Sequence, residues 1–163
     1  MGKWWVLFGL LLLVFTIEGI GGFWTRSLRE GWYDELPKPS WTPPNWVFGY
    51  VWTVLYASIA LSGWLAWCRI HAVDRSISLP AFVLYFLQLL LNLFWSYLFF
   101  QARLVGWACL ELFFLWVSIG MTIRYFYQIF PLSAWLLLPY WAWVTYAFVL
   151  NCALLIAGNL FLK

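Results

Sequence analysis

Five apolar stretches, each long enough to cross a bilayer, govern what this chain can fold into. They run over roughly 4–24, 45–68, 79–100, 104–127 and 132–160. A spanning helix needs about 20 apolar residues, because the hydrocarbon core is thick and a helix rises only about 1.5 Å per residue. Lipid offers the backbone no hydrogen-bond partners, so each stretch must satisfy its own peptide groups as a helix. The expected fold class is an all-α integral membrane protein, a bundle of five transmembrane helices within a single domain over 1–163. The breaks between runs are a Pro/Trp-rich segment at 25–44, a polar segment at 69–78, the turn Gln101-Ala102-Arg103, and Phe130-Pro131. Such short connections make most sequential helices antiparallel neighbours.

Composition agrees. Hydrophobic residues make up 66% of the chain and charged residues 9%, more apolar surface than a soluble domain can hide. The net charge of +3 forms no basic stripe, so nucleic acid is not a predicted partner. The first run could pass for a signal peptide, but it has no small-residue cleavage site and is read as the first helix of the mature protein. Lys3, Arg69, Arg75 and Arg124 fall on one side of the membrane. Arg26, Arg29, Lys38, Arg103 and Lys163 fall on the other. That near-even split leaves the orientation open.

Cys68, Cys109 and Cys152 lie on different predicted helices with no CxxC spacing, and His71 is the sole histidine. No disulfide framework, metal site or cofactor is expected. No nucleophile–base pair and no phosphate loop appears. Gly19-Ile20-Gly21-Gly22 ends a membrane helix, where close packing or a flexible exit explains it.

The loop from Trp32 to Pro44 contrasts with the helices around it. Each proline fixes its own φ and pushes the preceding residue toward an extended conformation. Pro43 and Pro44 suit the first turn of the next helix. Trp32 and Trp41 on so stiff a segment suggest a lid or packed cap.

Polar groups inside the spans are costly and therefore informative. Glu18 and Glu111 are expected at similar depth, either paired or hydrogen-bonded within the bundle or lining a cavity below the loop. Gln88, Asn92 and Ser96 share one helix face, flanked by Trp95 and Phe99, and serve either as interhelical glue or as cavity lining. Trp52, Tyr56, Ala60, Gly63 and Trp67 form a second face; Trp143, Ala147, Leu150 and Leu154 form a third. Ordinary packing explains such faces. The 15 tryptophans, however, include Trp52, Trp95, Trp116 and Trp143 deep in the spans, where interfacial belts do not account for them. A cavity walled by indoles suits a flat polycyclic ligand such as a tetrapyrrole or a sterol.

These motifs resemble the translocator protein / tryptophan-rich sensory protein family. The likeness rests on Trp32-Tyr33, on Leu36-x-Lys38-Pro39-Ser40-Trp41-x-Pro43-Pro44, and on Trp46-Val47-Phe48-Gly49. It continues through Val51-Trp52-Thr53-Val54-Leu55-Tyr56, Gln88-x-x-x-Asn92-x-x-Trp95, Phe99-Phe100 and Pro139-Tyr140-x-x-Trp143. The resemblance implies a five-helix bundle, usually a homodimer, with one ligand pocket closed by the loop after helix 1. Family ligands include protoporphyrin IX, sterols and synthetic benzodiazepine-type drugs. Some bacterial relatives degrade protoporphyrin in light and oxygen, using two tryptophans equivalent to Trp52 and Trp143. Asn92, Ala147 and Leu150 match pocket positions of the family.

Three departures stand out. Tyr50 replaces a frequent proline, Glu111 replaces a frequent aspartate, and Val149-Leu150-Asn151-Cys152-Ala153 lacks the tyrosine and base of the animal cholesterol motif. The expected protein is therefore a bacterial-type member in the cell membrane, or in the mitochondrial outer membrane if eukaryotic. It binds or senses porphyrin-type tetrapyrroles, with light- and oxygen-dependent degradation as a further activity. The expected reacting residues are Trp52 and Trp143. The expected ligand contacts are Tyr56, Asn92, Trp95, Phe99, Ala147, Leu150, Trp32, Trp41, Pro43 and Pro44. The alternatives are a sterol or lipophile carrier without chemistry, and a scaffold whose tryptophans only pack.

Overall fold

The structure is a computed structural model and describes residues 3–26 and 31–158. Among the described residues, seven α-helices carry the fold: α1 Trp4–Thr25, α2 Trp32–Glu35, α3 Asn45–Cys68, α4 Arg75–Ser96, α5 Val105–Ile129, α6 Pro131–Trp135 and α7 Leu138–Gly158. Among the described residues, five helical segments are long and apolar enough to span a membrane: Trp4–Thr25, Asn45–Cys68, Arg75–Gln101, Val105–Ile129 and Pro131–Gly158. The chain is a multi-pass membrane protein.

The helices close into a ring. α1 packs on α3 and α4, α4 on α5, α5 on α6 and α7, and α3 returns to α6 and α7. Large apolar side chains such as Trp5, Phe8, Phe114 and Ile156 face outward, as lipid-facing positions do. Inside, Tyr85 and Tyr140 are fully buried.

Specific contacts fix the register. The Lys3 ammonium donates to the carbonyls of Trp67 (3.4 Å) and Cys68 (3.2 Å), placing a cation on the last carbonyls of α3. Trp64 Nε1 donates to the Lys3 carbonyl at 3.1 Å, and its ring stacks on Trp4 at 4.9 Å. The start of α1 is thereby pinned to the end of α3, antiparallel. Tyr85 on α4 donates to the Ile59 carbonyl of α3 at 3.0 Å. Gly63 makes room for that ring: a Cβ there would lie 2.6 Å from Tyr85 Cζ.

Beyond shifts of one or two residues at helix ends, the structure departs from the sequence expectation in four places. α4 begins at Arg75, four residues before the expected 79, because the Asp74 carbonyl already accepts from Ile77 and Ser78; Pro80 therefore lies inside the helix. The third span does not stop at 100 as an α-helix. It widens into a π-helix, Tyr97–Gln101, closed by Ala102 N–H donating to the Tyr97 carbonyl at 2.8 Å. The widened turn buries Leu98, Phe99 and Phe100 consecutively, which regular helical rotation would not do. The last span is broken at Leu136 and Leu137, between α6 and α7. Its expected end at 160, like Arg29 and Lys163, lies outside the described residues. Finally, Pro43 and Pro44 are not in the first turn of α3. Pro44 is the extended residue before it, with φ −58° and ψ 145°.

Candidate functional site

A cavity of about 610 Å³ opens at the end of the bundle where α1 exits and α3 begins. α1 contributes Glu18, Gly21, Gly22, Thr25 and Arg26; α3 contributes Phe48, Gly49, Tyr50, Trp52 and Tyr56. Tyr33, Trp95, Ser96 and Phe100 complete much of the wall. Its volume lies within the range of small-molecule sites, about 300–1,000 Å³. A much smaller void lies behind it, lined by Phe99, Ala147, Leu150, Asn151 and Leu154. The two share Tyr33, Phe48, Trp95 and Phe100 as a partition.

The expected site residues divide accordingly. Trp52, Tyr56 and Trp95 line the main cavity. Phe99, Ala147 and Leu150 line the small one. Asn92 is 2% exposed and sits behind Tyr56, whose hydroxyl donates to its Oδ1. Trp143 lines neither cavity; it packs edge-on against Phe48 at 5.8 Å, one ring removed from the space. Trp52 packs on Tyr56 (5.5 Å) and Tyr140 (6.2 Å). Trp52 thus reaches the cavity directly and Trp143 only through Phe48.

Of the loop residues, Tyr33 lines both cavities, whereas Trp32, Trp41, Pro43 and Pro44 line neither. In α2, Tyr33 points inward and is 3% exposed, packing on Phe99 and Phe100. Burial, then the neighbouring Tyr146 and Asp34, push its phenol up to about 12. Trp32 lines no cavity. It caps Phe99 at 5.9 Å and carries the Arg103 guanidinium on its face at 5.4 Å. Trp41 is 47% exposed and away from both cavities. It is fastened to α7 by its carbonyl, which accepts from Tyr146 Oη at 3.0 Å, and by ring contact with Tyr146. Pro43 and Pro44 likewise line neither cavity; they fix the chain's entry into α3. Lys38 closes over the outer face of Tyr33 at 4.5 Å and pairs with Asp34 at 2.9 Å. That pair holds the Asp34 carboxyl below its usual range.

Polar groups converge beneath the aromatic wall. Glu18 accepts from the Thr53 hydroxyl at 2.6 Å, cross-linking α1 to α3 at the cavity. Glu111 does not share that patch. It is buried within the bundle, and both its oxygens lack a hydrogen-bond partner among the described residues, as do Gln88, Asn151, the Asn92 amide nitrogen and the Tyr140 hydroxyl. Pairing of Glu111 with Arg103 or Arg26 is not observed: those guanidiniums lie over Trp32 and Phe23. Ser96 is a cavity residue. Its hydroxyl lies 3.4 Å from where a Cβ on Gly21 would stand, which accounts for that glycine as a close α1–α4 approach.

Sequence reasoning missed Tyr33, Phe48, Phe100, Arg26 and Asn151 as lining residues. Tyr33 and Phe48 do fall inside the loop motifs, and Phe100 is adjacent to Phe99. Arg26 and Asn151 carried no spacing signal.

The fold and site define a five-span helical membrane protein with an aromatic-walled cavity at one end of the bundle. Residues 8–156 match the TspO/MBR family, and the chain belongs to that family. It is 40% identical to human translocator protein over 120 residues, covering 74% of this chain and 70% of that protein. It is 35% identical to the tryptophan-rich protein TspO of Archaeoglobus fulgidus over 144 residues, 88% and 91% of the two chains. Over 122 residues it is 34% identical to a tryptophan-rich sensory protein of Cereibacter sphaeroides, 75% and 73% of the two.

Proposed function

We propose that this protein binds porphyrin-type tetrapyrroles in the main cavity and that the bound ring is degraded there in light and oxygen. The carrying observation is the composition of the wall: Trp52, Trp95, Phe48 and Phe100 present flat π surfaces, with one guanidinium, Arg26, at the rim. Stacking suits the macrocycle, and a charge-assisted hydrogen bond from arginine suits a propionate carboxylate. Trp52 would donate an electron to the photo-excited ring, and Trp143 would act through Phe48. The family membership and the sensory name of one relative support a sensing role for the bound state. A homodimer belongs to the same proposal and rests on the family membership alone.

A second reading is a carrier for sterol-like lipophiles without chemistry. It is favoured by Trp46 and Tyr50, which line the cavity while 68% and 72% exposed on the lipid-facing side, a path for ligands arriving from the bilayer. Absorbance of bound protoporphyrin IX under illumination separates the readings. Loss of the porphyrin band in wild type, abolished by Trp52→Phe and by Trp143→Phe, supports the reaction. Equal bleaching in all three leaves binding alone, and no saturable binding favours the lipophile carrier.

A further inference from the structure

The geometry points to a covalent modification site on the seam between α5 and α7: Cys109 and Cys152 form an intramolecular disulfide under peroxide. Their sulfurs lie 3.2 Å apart, both thiols are free, and both are half-buried. A disulfide is about 2.05 Å long, so closure needs a movement of only about 1 Å, within reach of small side-chain rotations.

The pairing is built into the helix register. Two turns deeper on each helix, Trp116 Nε1 donates to Thr145 Oγ1 at 2.8 Å. Trp116 also stacks on Trp141 at 5.0 Å, and its carbonyl accepts from Trp141 Nε1 at 3.1 Å. Cys109 stands to Trp116 as Cys152 stands to Thr145, so one antiparallel seam sets both contacts. The indole anchor keeps the thiols from drifting apart. Cys68 is excluded from the pair. It ends α3 at the opposite membrane face, where its carbonyl accepts from Lys3.

The chemistry balances with a hydroperoxide as oxidant. One sulfur attacks a peroxide oxygen; the S–O bond forms, the O–O bond breaks, and one water leaves. The second sulfur displaces the resulting hydroxyl; the S–S bond forms, the S–O bond breaks, and a second water leaves. Two thiols lose two electrons and two hydrogens, and one hydrogen peroxide becomes two waters. The product ties α5 to the segment of α7 whose Leu150 and Asn151 line the small void, so oxidation clamps the wall of the candidate site.

The test uses the full chain in phosphatidylcholine nanodiscs, treated with hydrogen peroxide, alkylated with N-ethylmaleimide, digested and weighed. The expected result is one intrachain peptide pair joining Cys109 to Cys152, two hydrogens lighter than the dithiol. It should revert with dithiothreitol, and Cys68 should be alkylated throughout. Cys109→Ser and Cys152→Ser should each leave the surviving partner alkylated. Full alkylation of both cysteines in peroxide-treated wild type would overturn the assignment. So would separate oxidation to sulfinic acids, or cross-links only between chains. The wild-type readout stands even if a variant fails to fold.

Discussion

Tyr56 on α3 donates its phenolic hydrogen to Asn92 on α4, and this bond joins the aromatic wall of the cavity to the buried polar groups behind it. Tyr56 is 5% exposed and Asn92 2%, so neither can turn to water if the other is removed. Tyr56→Phe removes the hydrogen bond to Asn92 Oδ1 and should cost about 1–3 kcal/mol. Thermal unfolding in detergent reads this as a lowered midpoint. Combining it with Asn92→Leu should be less than additive, because the two residues share one interaction.

Gly63 tests the packing of the ring of helices. A methyl group there would lie 2.6 Å from Tyr85 Cζ and Oη, and Tyr85 is held by its bond to the Ile59 carbonyl. Gly63→Ala should destabilise by about 1–3 kcal/mol through overpacking. Gly9→Ala on α1, where nothing lies within 4 Å, should be neutral or stabilising by up to about 1 kcal/mol. Equal unfolding midpoints for the two would contradict this packing.

Alkaline pH should release the cap. Tyr33 ionises only near 12 in the folded protein, against 10.0 for an exposed phenol. Below about 10 both states carry the proton and the docked state keeps its full stability. Between 10 and 12 the undocked phenol loses its proton first, so docking weakens as pH rises. Protease cleavage within 31–44 should accelerate across that interval in wild type. Tyr33→Phe should flatten the dependence.

Much of this architecture is legible in the sequence, for identifiable reasons. The span at 45–68 is found to the residue because Pro44 cannot continue a helix backward and polar Arg69 follows Cys68. The start of α4 is missed because Arg75-Ser76-Ile77-Ser78 reads as a polar loop, although Asp74 accepts the first helical bonds. The widening at Tyr97–Phe100 and the break at Leu136 and Leu137 leave no mark in composition, since these are ordinary apolar and aromatic residues; only the turn at Gln101 shows. Among site residues, Trp52, Tyr56 and Trp95 lie on or beside regularly spaced helix faces, which spacing alone reads as packing; the family resemblance singles them out, and all three line the main cavity. Tyr33 was overshadowed by the flanking Trp32, because hydrophobicity does not tell which residue of a four-residue helix turns inward. The Cys109–Cys152 proximity depends on the register of two helices that are distant in sequence, which no local pattern encodes.

Arg26 at the rim should select for a carboxylate. Arg26→Gln should weaken protoporphyrin IX by about 10-fold or more, since hydrogen bonds to charged groups are worth about 1.5–3 kcal/mol. The dimethyl ester of the same porphyrin should bind wild type and variant alike. Fluorescence titration of both ligands against both proteins checks the pattern.

If the porphyrin sits in the cavity between α1 and α3, filling that space must displace it. Gly49 lines that cavity, and a Cβ built there meets nothing within 4 Å, so Gly49→Phe fills the space without a clash at its Cβ. The most direct measurement is a dark titration of protoporphyrin IX against wild type, Gly49→Phe and the lipid-facing control Gly9→Phe. The expected result is saturable binding to wild type and control, with affinity at least about 10-fold weaker in Gly49→Phe, the loss of about 1.4 kcal/mol or more of contact energy. Unchanged binding by Gly49→Phe, or no saturable binding by wild type, would contradict the account.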